Sequence, residues 1–309
     1  MLKYLIVQLD DTSPSFCHYP DKKSQVRLIS LDALKDGLLW AMKENLMVQF
    51  IYPDYELPKD YLELIDTVDH IDIKRYDNNA DVSIFDGAES LQNLKIQVYP
   101  HAVIRLTKSE LLENIGNVLE ALENQQSLNI VITDIESFKD VDFEAYKVAL
   151  KEMSATVEKK IESKTAVNIN LLTDRLALSA MNNCNAGDEH ITLAPDGNFY
   201  ICPAFYGDKE DCVGNPADGL NIPNAYLYKL QSAPICRRCD AFQCKRCVWL
   251  NKKMTFEVNT PSHEQCVIAH LERNASRNIL ENINKSGKIK IDNSIPEIDY
   301  LDPFDEIKR

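Results

Sequence analysis

Eight of the nine cysteines in this 309-residue chain fall between Cys184 and Cys266. Four of them, Cys236, Cys239, Cys244 and Cys247, form two C-x-x-C pairs separated by four residues. Two residues between cysteines let a tight turn aim both thiolates at one ion, so each pair is a natural half of a metal site. Cys184, Cys202, Cys212 and Cys266 raise the count to that of two four-thiolate sites, and both zinc and [4Fe-4S] clusters accept ligation by cysteine alone. Spacing does not choose between them. The bland alternative is eight buried, reduced thiols without metal.

These residues need a scaffold, and two regions of different character supply it. Residues 1 to about 178 alternate β-rich runs with amphipathic helices, a pattern that argues for parallel β-α units. Strands are expected at Leu5 to Leu9, Met47 to Tyr52, His70 to Arg75, Val82 to Phe85, Ala102 to Leu106, Leu128 to Thr133 and Ala166 to Leu171. Helices are expected after a Ser30 cap, with Leu31, Leu34, Leu38 and Ala41 on one face, and near 58–66, 109–124 and 142–162. From Asn182 the chain turns Cys-rich. A hairpin is expected over 191–202 around Asp196-Gly197. A last helix is expected at about 266–282, opened by Cys266, and then a charged tail, 283–309, that acts as a strap or is partly disordered.

Composition narrows the function classes. The formal net charge of −14 repels nucleic acid, so a nucleic-acid partner is not expected. No apolar run approaches the roughly 20 residues of a membrane helix. The first residues turn acidic quickly and read as a strand rather than a signal segment. The expected location is the cytoplasm, where clustered cysteines bind metal more often than they pair. No phosphate loop, G-x-G-x-x-G or internal repeat is found.

The order Cys184, Gly197, Cys202, then the quartet, then Cys266 resembles the SPASM domain, the iron-sulfur domain of radical SAM peptide-modifying enzymes. The quartet there is usually spaced two, five and three; here it is two, four and two. The resemblance implies one auxiliary [4Fe-4S] cluster on Cys184, Cys202, Cys212 and Cys247, and a second on Cys236, Cys239, Cys244 and Cys266. Cys212 is the weakest of these assignments, and His190 or His263 could take its place. Radical SAM proteins also carry C-x3-C-x-Y-C after the first strand. This chain has Ser13, Cys17, Tyr19 and Pro20 there, and one thiolate does not hold a cluster. The Gly-Gly-Glu expected after the second strand is replaced by Tyr52-Pro53-Asp54-Tyr55-Glu56.

Over its whole length the chain is similar to CXXX repeat peptide maturases, found beside small cysteine-repeat peptides and radical SAM partners. The resemblance implies an α/β fold: a radical-SAM-like partial (β/α) barrel over 1–180, a SPASM-like metal domain over 181–282, and the tail 283–309. It implies two [4Fe-4S] clusters, with zinc the alternative that the cysteines leave open, and a Cys-rich precursor peptide as partner, joined by a radical SAM partner protein; the departures at Ser13 and Pro20 and the missing Gly-Gly-Glu make S-adenosylmethionine binding unexpected. The leading expectation is a maturation component without radical chemistry of its own. A zinc-stabilised peptide-binding module and an enzyme with Cys17 beside His18 as its nucleophile stand as the other readings. Arg105 ends a strand where such folds bind ligands, so it is a candidate for a peptide carboxylate; a structural ion pair is the better expectation. Arg237, Arg238, Lys245 and Arg246 interleave the quartet and could offset thiolate charge, and Trp249 is expected to pack nearby.

Overall fold

The computed structural model describes residues 2–20, 25–206 and 211–307. Eleven strands occur among them: β1 Tyr4–Gln8, β2 Met47–Ile51, β3 His70–Arg75, β4 Val82–Asp86, β5 Ala102–Leu106, β6 Ser127–Ile132, β7 Asn168–Ile169, β8 His190–Leu193, β9 Phe199–Tyr200, β10 Gly214–Asn215 and β11 Gly219–Leu220. The helices are α1 Leu31–Lys43, α2 Lys59–Ile65, α3 Leu91–Ile96, α4 Lys108–Glu113, α5 Ile115–Asn124, α6 Asp140–Glu162, α7 Asp174–Ala177, α8 Val248–Thr255, α9 His263–Ser286 and α10 Pro303–Ile307. Nine strands form a mixed, mostly parallel sheet in the order β7-β6-β5-β4-β3-β2-β1-β8-β9. Strand-helix alternation builds such a sheet because parallel neighbours need crossovers. The expected α/β architecture is thus present.

Contacts group the chain into two units, residues 1–84 with 185–233, and residues 85–184 with 234–309. In the first unit β1 has parallel neighbours on both sides, Leu5 opposite Val48 on β2 and opposite Ile191 on β8. A strand flanked in this way is covered on both faces, which its continuous apolar run Leu5-Ile6-Val7 reflects. Ile6, Ile51, Ile73 and Ile84 make one buried cluster. On α1, Ser30 caps the Ala33 amide and Leu34, Leu38 and Ala41 are buried. Gly37 sits where a Cβ would lie 2.2 Å from a methyl carbon of Leu193, so this helix needs the missing side chain to approach β8. The β8–β9 hairpin forms as expected, with Leu193 opposite Phe199 and Gly197 in the left-handed region at φ 81°.

The second unit has its own core, in which Ile104, Leu106, Ile130, Tyr146, Met153, Leu271 and Ile279 are buried together. The long helices α6 and α9 pack on one another here. Several expected boundaries move for local reasons. The strand expected over 166–171 shrinks to Asn168–Ile169. The side chain of Asn170 replaces the backbone beyond it, accepting from the Ile130 amide and donating to the Ile130 carbonyl, each at 2.9 Å. The helix expected over 109–124 breaks at Asn114, whose side chain donates to the Glu110 carbonyl. The last helix begins at His263 rather than Cys266, because Ser262 and Gln265 form a reciprocal capping box. Helix α8 follows Cys247 directly and was not expected.

The tail takes the strap form. Ile295 and Asp302 are 6% and 5% exposed, Asn293 donates to the Leu176 carbonyl at 2.6 Å, and Arg273 donates to the Pro296 carbonyl. No helix among the described residues is long and apolar enough to cross a membrane.

Candidate metal centre

The quartet Cys236 to Cys247 is held by charge as well as by its turns. Asp240, next to Cys239, accepts from Arg273 Nε at 3.0 Å on one carboxylate oxygen and from Nη2 at 2.5 Å on the other. Arg273 is 0% exposed and projects from α9. Arg175 donates from Nε to the Asp240 carbonyl at 2.7 Å and stacks 4.3 Å from the Phe242 ring. Gln243 donates to the Ala269 carbonyl at 2.6 Å. Three contacts from α7 and α9 therefore fix the segment between the two C-x-x-C pairs.

Within the second unit, Cys236, Cys239, Cys244 and Cys266 line one cavity, with Ile235, Arg246, Ala269 and His270 among its walls. Burial pushes the thiols of Cys236 and Cys239 up to about 12 and that of Cys244 to about 11. Cys266 is raised by burial as well, and then by Cys244. A thiol in such a place is neutral when alone, whereas a bound cation deprotonates it outright. Backbone amides already point at sulfur: Ala241 N–H donates to Cys239 Sγ at 3.4 Å and Leu250 N–H to Cys247 Sγ at 3.5 Å. Hydrogen bonds to sulfur and exclusion of water are what tune a thiolate-ligated cluster.

Among the described residues, no three His, Cys, Asp or Glu side chains form a group that could hold a metal ion. Tetrahedral zinc at about 2.3 Å from each sulfur demands sulfurs converging on one point. Four cysteines around one cavity are a donor set that both zinc and a [4Fe-4S] cluster accept.

The remaining predicted ligands divide between the units. Cys184 and Cys247 belong to the second, where the Cys184 amide donates to the Lys245 carbonyl at 3.0 Å. Cys202 and Cys212 belong to the first, where Cys202 follows β9 and Cys212 forms an antiparallel bridge with Tyr200. Of the histidines weighed as substitutes, His263 is bound through Nδ1 to Asp302 at 2.6 Å, and His190 opens β8. His270, not weighed from the sequence, reaches a cysteine, with Nε2 3.3 Å from Cys239 Sγ. The sequence held that signal: Cys266 and His270 are four apart on one helix and so share a face. Asp240, Arg273 and Glu272 gave none.

In the first unit, the segment after β1 places Ser13, Cys17 and Pro20 in a loop bound by oxygen chemistry. Ser13, 6% exposed, donates from Oγ to the Ile51 carbonyl at 2.9 Å and accepts from the Asp10 amide at 3.1 Å. Asp10, 0% exposed, accepts from the Thr12 hydroxyl at 2.6 Å and the Tyr55 hydroxyl at 3.0 Å. Asp11 accepts from Tyr206 at 2.6 Å. Burial and these carboxylates raise both tyrosine pKa values. Cys17 is half-buried and Pro20 exposed. In the second unit, Arg105 is 6% exposed and donates from Nη1 to Asp86 at 2.5 Å, which is the structural ion pair.

No family model and no curated protein matches the chain. Solved structures do. Native anSMEcpe with bound AdoMet is similar at a TM-score of 0.62 and 13% identity, over 92% of this chain and 99% of that one. Native anSMEcpe with bound AdoMet and Kp18Cys peptide gives 0.61 at 13%, over 91% and 99%. Streptococcus suis SuiB bound to precursor peptide SuiA gives 0.44 at 10%, over 86% and 76%. At such identity the likeness is one of fold: the chain shares with anSMEcpe an α/β fold with a mostly parallel central sheet.

Proposed function

We propose that this chain is a maturation component for a ribosomally made, Cys-rich CXXX-repeat peptide, carrying auxiliary [4Fe-4S] clusters and lacking SAM radical chemistry of its own. The observation that carries the reading is the likeness in fold, over nearly the whole chain, to a protein solved with AdoMet and with peptide. In this reading residues 1–180 are the radical-SAM-like domain, 181–282 the SPASM-like domain and 283–309 its strap. Cys236, Cys239, Cys244 and Cys266 hold one cluster, and Cys184, Cys202, Cys212 and Cys247 the other. The bound clusters supply one-electron transfer. The protein's own groups bury the thiolates, donate amide hydrogen bonds to them and hold the quartet in place through Asp240.

The loss of radical chemistry is supported by the loop after β1. Ser13 spends its hydroxyl on Ile51 and Asp10, and Pro20 has no ligand atom. The partners of the reading are the precursor peptide and a radical SAM protein that performs the chemistry, and its location is the cytoplasm. Metal analysis with absorption and electron paramagnetic resonance spectra of protein prepared without oxygen tests it. About eight irons per chain is expected for two four-iron clusters, with no binding of S-adenosylmethionine in calorimetry. Stoichiometric zinc without visible absorbance replaces the iron reading, and protein without iron overturns it.

A further inference from the structure

The cysteine cavity holds one side chain that thiolate counting passes over. His270 lies on α9, one turn after Cys266, and is 1% exposed. Its ring packs against Tyr300 at 5.5 Å between centroids, and its Nε2 is 3.3 Å from Cys239 Sγ. A thiolate bound to a metal has no proton to give. The contact is therefore a hydrogen bond only when Nε2 carries the proton, which makes the histidine the donor. Arg246, 3% exposed, lines the same cavity, while no carboxylate residue is among its walls. Arg246 thus adds a cation to the cavity wall, while the carboxylates of Asp240, Glu272 and Asp302 act on Cys239, Cys244 and Cys266 from outside it; in so closed and largely apolar a place a hydrogen bond to sulfur is strong.

We propose that His270 is a positioning residue for the cluster on Cys236, Cys239, Cys244 and Cys266, donating from Nε2 to the Cys239 thiolate and so raising that cluster's reduction potential. The proposal rests on the functional reading above. One-electron reduction adds one negative charge to cluster and thiolates together, and a donor to sulfur stabilises the charged product more than the starting state. Hydrogen bonds to charged groups are stronger than those between neutral groups. A difference between the two redox states of a tenfold ratio is thus within reach of one bond.

The test is a dithionite titration of anaerobic full-length protein, followed by electron paramagnetic resonance, in wild type, His270→Ala, His270→Leu and His270→Gln. In Ala and Leu the reduced-to-oxidised ratio at a fixed potential is expected to fall about tenfold, a shift of about 59 mV for one electron. Gln keeps an N–H and is expected to return toward wild type. Iron content of the wild type reports on the functional reading separately: without iron both ideas fall, whereas iron with unchanged potentials in Ala and Leu overturns the His270 role alone. If Ala and Leu lose the cluster and Gln retains it, the donor role stands. Loss in all three makes His270 a packing residue and overturns it.

Discussion

Truncating Asp240 to alanine should cost the second unit more than removing its partner Arg273, although the two side chains share the same bonds. Arg273 is 0% exposed, and without the carboxylate it keeps only Asn274 Oδ1 at 2.9 Å and the Pro296 carbonyl as acceptors. Breaking a buried ion pair by removing one partner costs about 3–5 kcal/mol. The two remaining neutral acceptors place Asp240→Ala near the lower end, about 3 kcal/mol. Asp240 itself is 25% exposed and has Arg175 Nη2 at 3.8 Å. In Arg273→Leu the carboxylate therefore turns to water and to Arg175, and the cost falls to about 1–2 kcal/mol. Asp240→Asn, which keeps an acceptor and the volume, should fall between. The assay is urea unfolding followed by Trp249 fluorescence in a Trp40→Phe background, with equal slopes required before midpoints are compared. An Asp240→Ala cost below about 1 kcal/mol, or one smaller than that of Arg273→Leu, refutes the argument that an unpaired buried cation dominates.

Other outcomes follow from single contacts. Ser13→Ala should lose about 1–3 kcal/mol by leaving the Asp10 amide unsatisfied and the Ile51 carbonyl with the Leu9 amide alone, read by thermal unfolding; no change would mean that the hydroxyl is not a clamp. Glu272 is buried against Tyr146 and Gln243, and burial raises its carboxyl from 4.5 to about 7. The native state then binds more protons than the unfolded one between those values, so stability falls as pH rises through that window. Glu272→Gln should flatten that slope in pH-dependent urea midpoints. Arg105→Ala should destabilise by about 1–2 kcal/mol through the lost bond to Asp86, whose carboxylate is 26% exposed and can turn to water, while leaving affinity for a CXXX-repeat peptide within about twofold; a larger affinity loss in calorimetry would give Arg105 back its peptide role.

What could be read in advance was set by periodicity and spacing, both of which act over short stretches. The strands His70–Arg75 and Ala102–Leu106 fall where alternation and an apolar run placed them, and Ser30 caps α1 because a hydroxyl before an apolar helix has one obvious use. Asn170 defeated the same reasoning, since a side chain that imitates backbone looks like any other polar residue in a strand. The capping box of Ser262 and Gln265 was present in the letters, beginning four residues before Cys266.

The cysteines show the same division at the site. Their count and pairing point to metal, yet the quartet is placed by Asp240 meeting Arg273, 33 residues away, and by Gln243 meeting Ala269, 26 away. No local pattern encodes such pairs, because either partner alone reads as a solvated charge or amide. The helix that brings Cys266 also brings Arg273 and His270, one on each of its next two turns. In the proposed reading a single helix thereby supplies a ligand, a donor to a second thiolate and the anchor of the loop bearing the other three. Displacing α9 should disturb all three at once, so cluster loss on cutting the tail contacts at Pro296 or Asp302 would locate the strap's purpose in holding this helix.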